Sequence, residues 1–357
     1  MPHKIKTSRH IFTLLGALIL SACAQKVIKP LPPPVYPPPP AEARFIYDGS
    51  LRSNRDIEQP DFGQKLHAFA TGANVDPEGM GKPFGIAVKN KRIYITDTQQ
   101  RSVVVFDLAN SRFYQFGIEG QGTLIKPMGI TISSQNEIYV VDITAKRIAV
   151  YDLDGKYLRE LGNSEDLLRP TGITVSPSGD RLYIVDTGGI ESQRHRVLIY
   201  NAKTGELLKT FGKRGQAHGE FNMPLQIGMS PNGNVNIVDS ANFRIQTFDP
   251  DGNFIRSFGS VGRQRGQFSR PKGIAVNAEG HIYVSDAAFG NVQIFNAEGQ
   301  LLLHIGERGT AGGPGRFMLP ADVAIDEQGK IYIIDQFFRK IDTFRPVSQA
   351  ASSLPKF

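Results

Sequence analysis

Apolar residues in this chain fall in short β-branched or aromatic runs separated by Gly, Asn, Asp and Pro, and the runs come in groups of four. One group shows the pattern. Pro271-Lys272-Gly273 leads into Ile274-Ala275-Val276, and residues 277–280 read as a turn. Residues 281–286 read as a second strand ending in Asp286, Asn291 to Phe295 as a third, and residues 301–306 as a fourth. Four strands in sequence predict one antiparallel sheet. No stretch of the repeats carries a sustained helical period, so almost no helix is expected there.

The group recurs six times. Its opening prolines are Pro83, Pro127, Pro170, Pro224, Pro271 and Pro320. Its second strands end at Asp97, Asp142, Asp186, Asp239, Asp286 and Asp335. Both series step by 43 to 54 residues, a spacing typical of propeller blades. A sheet that cannot bury its own faces must stack on its neighbours. The pattern therefore predicts an all-β chain, a six-bladed β-propeller of four-stranded antiparallel blades over residues 44–346, followed by a polar tail over 347–357.

The sixth unit has only three evident strands, residues 321–325, 330–334 and 341–344. An N-terminal strand is expected to close the last blade. Leu66-His67-Ala68-Phe69-Ala70 is the segment this reading assigns to it, with Phe45-Ile46-Tyr47 packing nearby without an assigned partner.

The repeats resemble the NHL family. The resemblance rests on Gly-Ile-Ala-Val at 85–88 and 273–276, Gly-Ile-Thr-Ile at 129–132 and Gly-Ile-Thr-Val at 172–175. It also rests on Arg147 with Tyr151, Arg196 with Tyr200, Arg244 with Phe248, and the Phe-Gly steps at 116–117, 211–212 and 258–259. It covers roughly residues 64–345 and implies the propeller fold. It also implies that the repeated aspartates bond to loop amides and to the arginine of the next strand. Fold alone does not specify function.

The N-terminus bears on location. Lys4, Lys6 and Arg9 precede an apolar run from Ile11 to Leu20, then Ser21-Ala22-Cys23. This order reads as a secretory signal over residues 1–22, and the run is too short for an ordinary membrane span. Leu20-Ser21-Ala22-Cys23 resembles the bacterial lipobox, which makes Cys23 the expected lipidated residue. Ala24 rather than aspartate follows, which by resemblance favours the outer membrane, facing the periplasm. Cys23 is the only cysteine, so no disulfide forms within the chain. Residues 23–43 form the lipidated end and a proline-rich linker; residues 30–40 as polyproline II would reach roughly 30–40 Å.

Net charge is +7; removing residues 1–22 takes away Lys4, Lys6 and Arg9 and leaves +4. That balance and the expected compartment argue against a nucleic-acid partner. The distribution says more. In a propeller the fourth-to-first and second-to-third connections share one face. There the loops 212–223, 259–270 and 306–319 carry Lys213, Arg214, Arg263, Arg265, Arg270, Arg308 and Arg316 against Glu220 and Glu307. The second-to-third loops add Phe243, Phe289, Phe337, Phe338, Arg339 and Lys340. Arginine forks suit carboxylates or phosphates, and exposed aromatics suit proteins or sugars. The candidate binding set is Arg263, Arg265, Lys213, Arg214, Arg308, Phe243, Phe289, Phe337 and Arg339. The competing reading is that these residues brace their own loops. Blade three carries a longer loop, Thr187 to Arg196, with Glu191, Arg194 and His195, a candidate recognition element.

Where other units have glycine at the head of the inner strand, unit four has Gln226 and unit six has Asp322. These are the candidate catalytic residues, at the mouth of the central channel; solvation of a narrow channel is the alternative role. The seven histidines show no ligand spacing. NHL-like amidating lyases hold zinc with histidines at the channel mouth, and none stands at an inner-strand head here. Calcium-dependent lactonase propellers use several channel carboxylates and amides, whereas Asp322 is a lone carboxylate. Asp152-Leu153-Asp154-Gly155 and Asp249-Pro250-Asp251-Gly252 lack the twelfth-position glutamate of an EF-hand and read as hairpin turns. There is no nucleophile elbow or phosphate loop. The expected protein is a monomeric, envelope-anchored binding propeller with no cofactor or metal. Its expected partner is an envelope protein or anionic glycan, and the alternative is a hydrolase or lyase acting at the channel mouth.

Overall fold

The computed structural model describes residues 32–59, 63, 70 and 76–347. Six radial sheets make up the body. Blade one runs from Pro83–Lys89 through Arg92–Asp97 and Ser102–Asp107 to Arg112–Phe116. The next four blades begin at Pro127, Pro170, Pro224 and Pro271 and repeat that antiparallel order. Single 3-10 turns stand at Asn54–Asp56 and Ser240–Asn242, and the described residues Gly63 and Ala70 are helical.

The hydrophobic core is not one mass. Six buried clusters lie between blades, one per interface. The second strands are buried on both faces, as in Ile93, Tyr94 and Ile95 at 0% exposure, because alternate side chains enter the clusters on either side. Two of the buried tyrosine tips reach neighbouring turns: the Tyr94 hydroxyl donates to Leu153 O at 2.9 Å, and that of Tyr183 to Pro250 O at 2.9 Å.

Closure differs from the sequence expectation in the strand it uses. Blade six contributes Pro320–Ile325, Ile331–Asp335 and Lys340–Pro346, and its fourth strand is Phe45–Leu51. Residues 66–69 of the segment assigned to that role lie outside the described residues. The register explains the choice: Ile46 and Tyr47 stand opposite Arg345 and Phe344, and the Tyr47 ring packs edge-on to Phe344 at 5.7 Å. Val35–Tyr36 adds a fifth strand, so the sheet reaches into the proline-rich stretch read as a polyproline II spacer. Tyr36 also packs edge-on to Phe344, at 5.5 Å.

A buried charge network fixes this seam. Lys340 and Asp342 are both fully buried and pair at 2.6 Å. Ser50 of the closing strand donates to Asp342, and Gly315 N reaches the same carboxylate at 3.0 Å. Lys340 Nζ donates to Gly313 O at 2.8 Å. Burial pushes the Asp342 carboxyl up and the Lys340 ammonium down, each opposed by its partner's charge. Beyond the strand, Arg52 Nη2 reaches Gly312 O, and the Glu58 carboxylate accepts from Phe113 N on the edge of blade one. The N-terminal segment thus spans blades six and one. Gln336 of blade six donates to Pro83 O of blade one on the same seam.

Removing one partner of a buried pair leaves the other charge uncompensated. Asp342→Ala should lower unfolding free energy by about 3–5 kcal/mol, read by urea denaturation. The double variant Lys340→Met/Asp342→Leu should recover most of that loss; if it does not, the network does more than satisfy its own charges.

Candidate functional site

The repeated aspartates build the loop-rich face. Asp97 accepts from Gly81 N and Lys82 N, just before the opening proline, and from Gln99 N and Gln100 N in the second-to-third turn. Asp142, Asp286 and Asp335 repeat this arrangement. Asp186 takes Leu168 N, Arg169 N and the Arg196 guanidinium. Asp239 takes Asn222 N, the Asn242 amide and the Arg244 guanidinium at 2.8 Å. Each carboxylate is fully buried and ties the two connections of its blade to one another, so both loop sets share one face.

The long loops of blades four to six share one construction. Gly212, Gly259 and Gly306 have φ of 84°, 88° and 81°, in the left-handed region. Each meets the ring of a fully buried phenylalanine (Phe221, Phe268 or Phe317) that returns the loop to the core. A side chain of the third strand then clamps the loop: Gln246 accepts from Gly219 N, Gln293 from Gly266 N, and Asp342 from Gly315 N. These loops are braced from within.

That bracing divides the candidate binding set. Phe243 packs against the cluster between blades four and five, and Phe289 is half-buried. Arg308 donates to Ala287 O and Ala288 O, Lys213 pairs with Glu220 at 3.3 Å, and Arg316 pairs with Glu307 at 2.7 Å. Arg263, Arg265 and Arg339 are exposed and Arg214 is half-buried, and none enters an ion pair among the described residues. Phe337 is exposed at 57%, and Ile190 and Val261 on the same face at 68% and 64%. The long loop of blade three is pinned by His195, which is fully buried. Its Nδ1 accepts from Met223 N at 3.2 Å, so Nε2 donates to Gly189 O at 2.9 Å.

Asp322 and Gln226 do meet, although 96 residues separate them in sequence. Gln226 Nε2 donates to Asp322 Oδ2 at 3.3 Å, and Ile86 N donates to the same oxygen at 3.2 Å. Neighbouring glycines make the room: a Cβ at Gly273 would stand 2.3 Å from Asp322 Oδ1, and one at Gly172 would stand 2.6 Å from Gln226 Oε1. The two side chains form a polar layer joining blades four, six and one. Beneath it a cavity of about 370 Å³ runs toward the tight-turn face, walled by Ile86, Ile173, Ile274 and Val323 and bordered by Lys89 and Glu327. Burial pushes the Asp322 carboxyl up to about 7, against the pull of N–H donors from Val323, Ile86 and Ile274.

Sequence reasoning passed over Lys272, the residue before Gly273. Its ammonium stands 5.8 Å from the centre of the Phe84 ring. Burial, with the charges of Arg270 and Lys82 nearby, pushes it down to about 8. The signal was present in the repeat: Lys272 is the one charged residue at the position after the opening proline, where the other units carry Phe84, Met128, Thr171, Leu225 and Ala321.

The folded Asp322 carboxyl keeps its proton to about pH 7, whereas an unfolded aspartate releases it near pH ~4. Stability from this group is therefore fully present below about pH 4 and lost as pH rises to about 7. The span corresponds to at most about 4 kcal/mol. Asp322→Asn should flatten that part of the profile when urea midpoints of the variant and wild type are compared between pH 4 and 8.

Residues 79–165 and 264–347 match a family model described as a 6-bladed beta-propeller. The chain is 29% identical over 147 residues, 40% of its length, to Protein brain tumor of Drosophila melanogaster, and the match spans 13% of that protein. It is also 29% identical over 115 residues to a probable peptidyl-alpha-hydroxyglycine alpha-amidating lyase of Caenorhabditis elegans, covering 31% of each. The chain thus spans under a third of either relative's length. Among solved structures, a gluconolactonase of Xanthomonas campestris superposes with a TM-score of 0.58 at 17% identity, covering 75% of this chain and 87% of that one. Geometry and these likenesses together establish a six-bladed β-propeller.

Proposed function

We propose that this protein is an envelope-anchored binding protein of the NHL-like kind, held by a lipid on Cys23, whose loop-rich face docks a protein partner bearing acidic groups. Cys23 lies outside the described residues, and the anchor rests on the sequence pattern around it. The observation that carries the docking reading is the finish of that face. Internally braced loops present Arg263, Arg265 and Arg339 without carboxylate partners among the described residues, on a face that also exposes Ile190, Val261 and Phe337. Apolar anchors among unpaired arginines on preorganised loops are what a protein interface uses. An anionic glycan is the other ligand for the same arginines.

A second reading has its own support. Asp322 pushed up and Lys272 pushed down toward neutrality, near one another in the channel, is the pairing of shifts that acid–base catalysis exploits. It would make the protein a lyase or hydrolase working at the channel mouth. The inner-strand heads offer glycine, Gln226 and Asp322 and no histidine, unlike the zinc-dependent pattern the sequence resemblance implies for amidating lyases.

Cys23→Ser should move the protein from the membrane fraction to the soluble fraction on fractionation of cells. Retention of the variant in membranes would remove the lipid anchor from the proposal. In gently solubilised envelopes, the double charge reversal Arg263→Glu/Arg265→Glu should release a stoichiometric protein partner that wild type and Asp322→Ala both retain. Loss of a turnover activity on Asp322→Ala, with no effect of the charge reversal, would instead select the enzyme reading.

A further inference from the structure

The channel mouth on the loop-rich face holds an ammonium for which the protein supplies no acceptor. The residues between each opening proline and the inner-strand head form one ring: Phe84, Met128, Thr171, Leu225, Lys272 and Ala321. Five are uncharged. Lys272 belongs to blade five and Phe84 to blade one, two steps around the ring, so the contact between them spans the mouth. The lysine side chain therefore points inward, not out over its own blade.

The Lys272 ammonium enters none of the ion pairs or side-chain hydrogen bonds among the described residues; its one contact is with the Phe84 ring. Two carboxylates act on it, Asp322 and Asp335. Both are already engaged: Asp322 by Ile86 N and Gln226, Asp335 by Met318 N, Leu319 N, Phe337 N and Phe338 N. Two cations face it as well, Arg270 and Lys82. With Lys126 and Arg169 they form a collar of four exposed basic residues, none of them ion-paired among the described residues. A half-buried ammonium with no acceptor from the protein, facing like charge across the mouth, costs stability. Such a cost is characteristic of a site shaped for something other than stability. An entering carboxylate would supply the missing acceptor and neutralise the repulsion, while the apolar ring would shield an uncharged body.

We propose that this mouth is a binding site for a small organic anion, its carboxylate paired with Lys272 Nζ, its apolar body resting on Phe84, and the collar of Lys82, Lys126, Arg169 and Arg270 drawing it in. This deepens the binding reading of the loop-rich face by naming a ligand class, and its centre is separate from Arg263 and Arg265. The pairing is a point-charge contact, since one lysine offers no fork. The body of the ligand, not a second charge, would set selectivity against inorganic anions.

The test uses the full-length protein in detergent, with sodium benzoate as probe and benzamide as its uncharged counterpart. Titration calorimetry and thermal unfolding are read together. Benzoate is expected to bind and to raise the melting temperature of the wild type, whereas benzamide is not. Lys272→Met is expected to weaken benzoate roughly tenfold or more, while the ligand-free variant melts at the same temperature as wild type or higher. Phe84→Ala should weaken benzoate without abolishing it. The proposal is overturned if benzoate does not bind, if Lys272→Met leaves its binding unchanged, or if that variant melts lower and so marks the lysine as structural. Arg263→Glu/Arg265→Glu should leave benzoate binding intact. Loss of the protein partner with benzoate still bound therefore separates failure of the docking reading from failure of this one.

Discussion

Each blade presents two apolar faces and can cover neither alone, and the whole structure depends on that constraint. Every face is covered by the neighbouring blade, so the core is divided into six interblade layers. Such a core is complete only when the last blade meets the first. Closure is therefore fastened in several ways. The strand Phe45–Leu51 supplies the missing fourth strand of blade six, Ser50 ties it to the buried Lys340–Asp342 pair, and Glu58 and Gln336 reach blade one. A chain with no disulfide to close its loops holds its ring by sequence-distant pairing.

The repeated aspartates act within each blade as closure acts between blades. Asp97, Asp142, Asp286 and Asp335 each gather N–H groups from the connection ahead of the blade and from the turn after its second strand, while Asp186 and Asp239 pair there with Arg196 and Arg244. Buried carboxylates saturated by amides suit a structural role. They also set the electrostatics of the face above them, because carboxylates occupied by backbone amides leave nearby surface cations without partners. The basic collar sits directly over these aspartates: Lys82 and Arg270 each donate their own backbone N–H to one.

The channel shows where the repeat is broken and what that costs. Four of six inner strands head with glycine, because adjacent strands approach too closely there for a Cβ. Gln226 and Asp322 occupy the space that Gly172 and Gly273 leave open, and they link distant blades through the channel. Asp322 is a carboxylate held near neutrality by burial, with Lys272 above it held down by burial and like charge. Neither belongs to the repeat pattern.

The strand order, the blade count and the positions of the strand-end aspartates were legible in the sequence because they depend on local alternation and on repetition. The opening prolines and the glycines at the strand heads mark where each blade begins, whatever surrounds them. The identity of the closing strand was not legible: Phe45–Leu51 and Leu66–Ala70 both read as short apolar strands, and only pairing with Lys340–Pro346 distinguishes the former. Exposure of the candidate arginines and phenylalanines was equally hidden. Arg308 and Phe243 look like surface residues in sequence, yet backbone carbonyls and a neighbouring cluster engage them. The meeting of Gln226 with Asp322, and of Lys272 with Phe84, joins residues on different blades across a channel that exists only once the ring has closed. Sequence determined the repeating unit, since its forces act between near neighbours in the chain. Tertiary structure decided which side chains face one another, since that depends on long-range contacts no local pattern encodes.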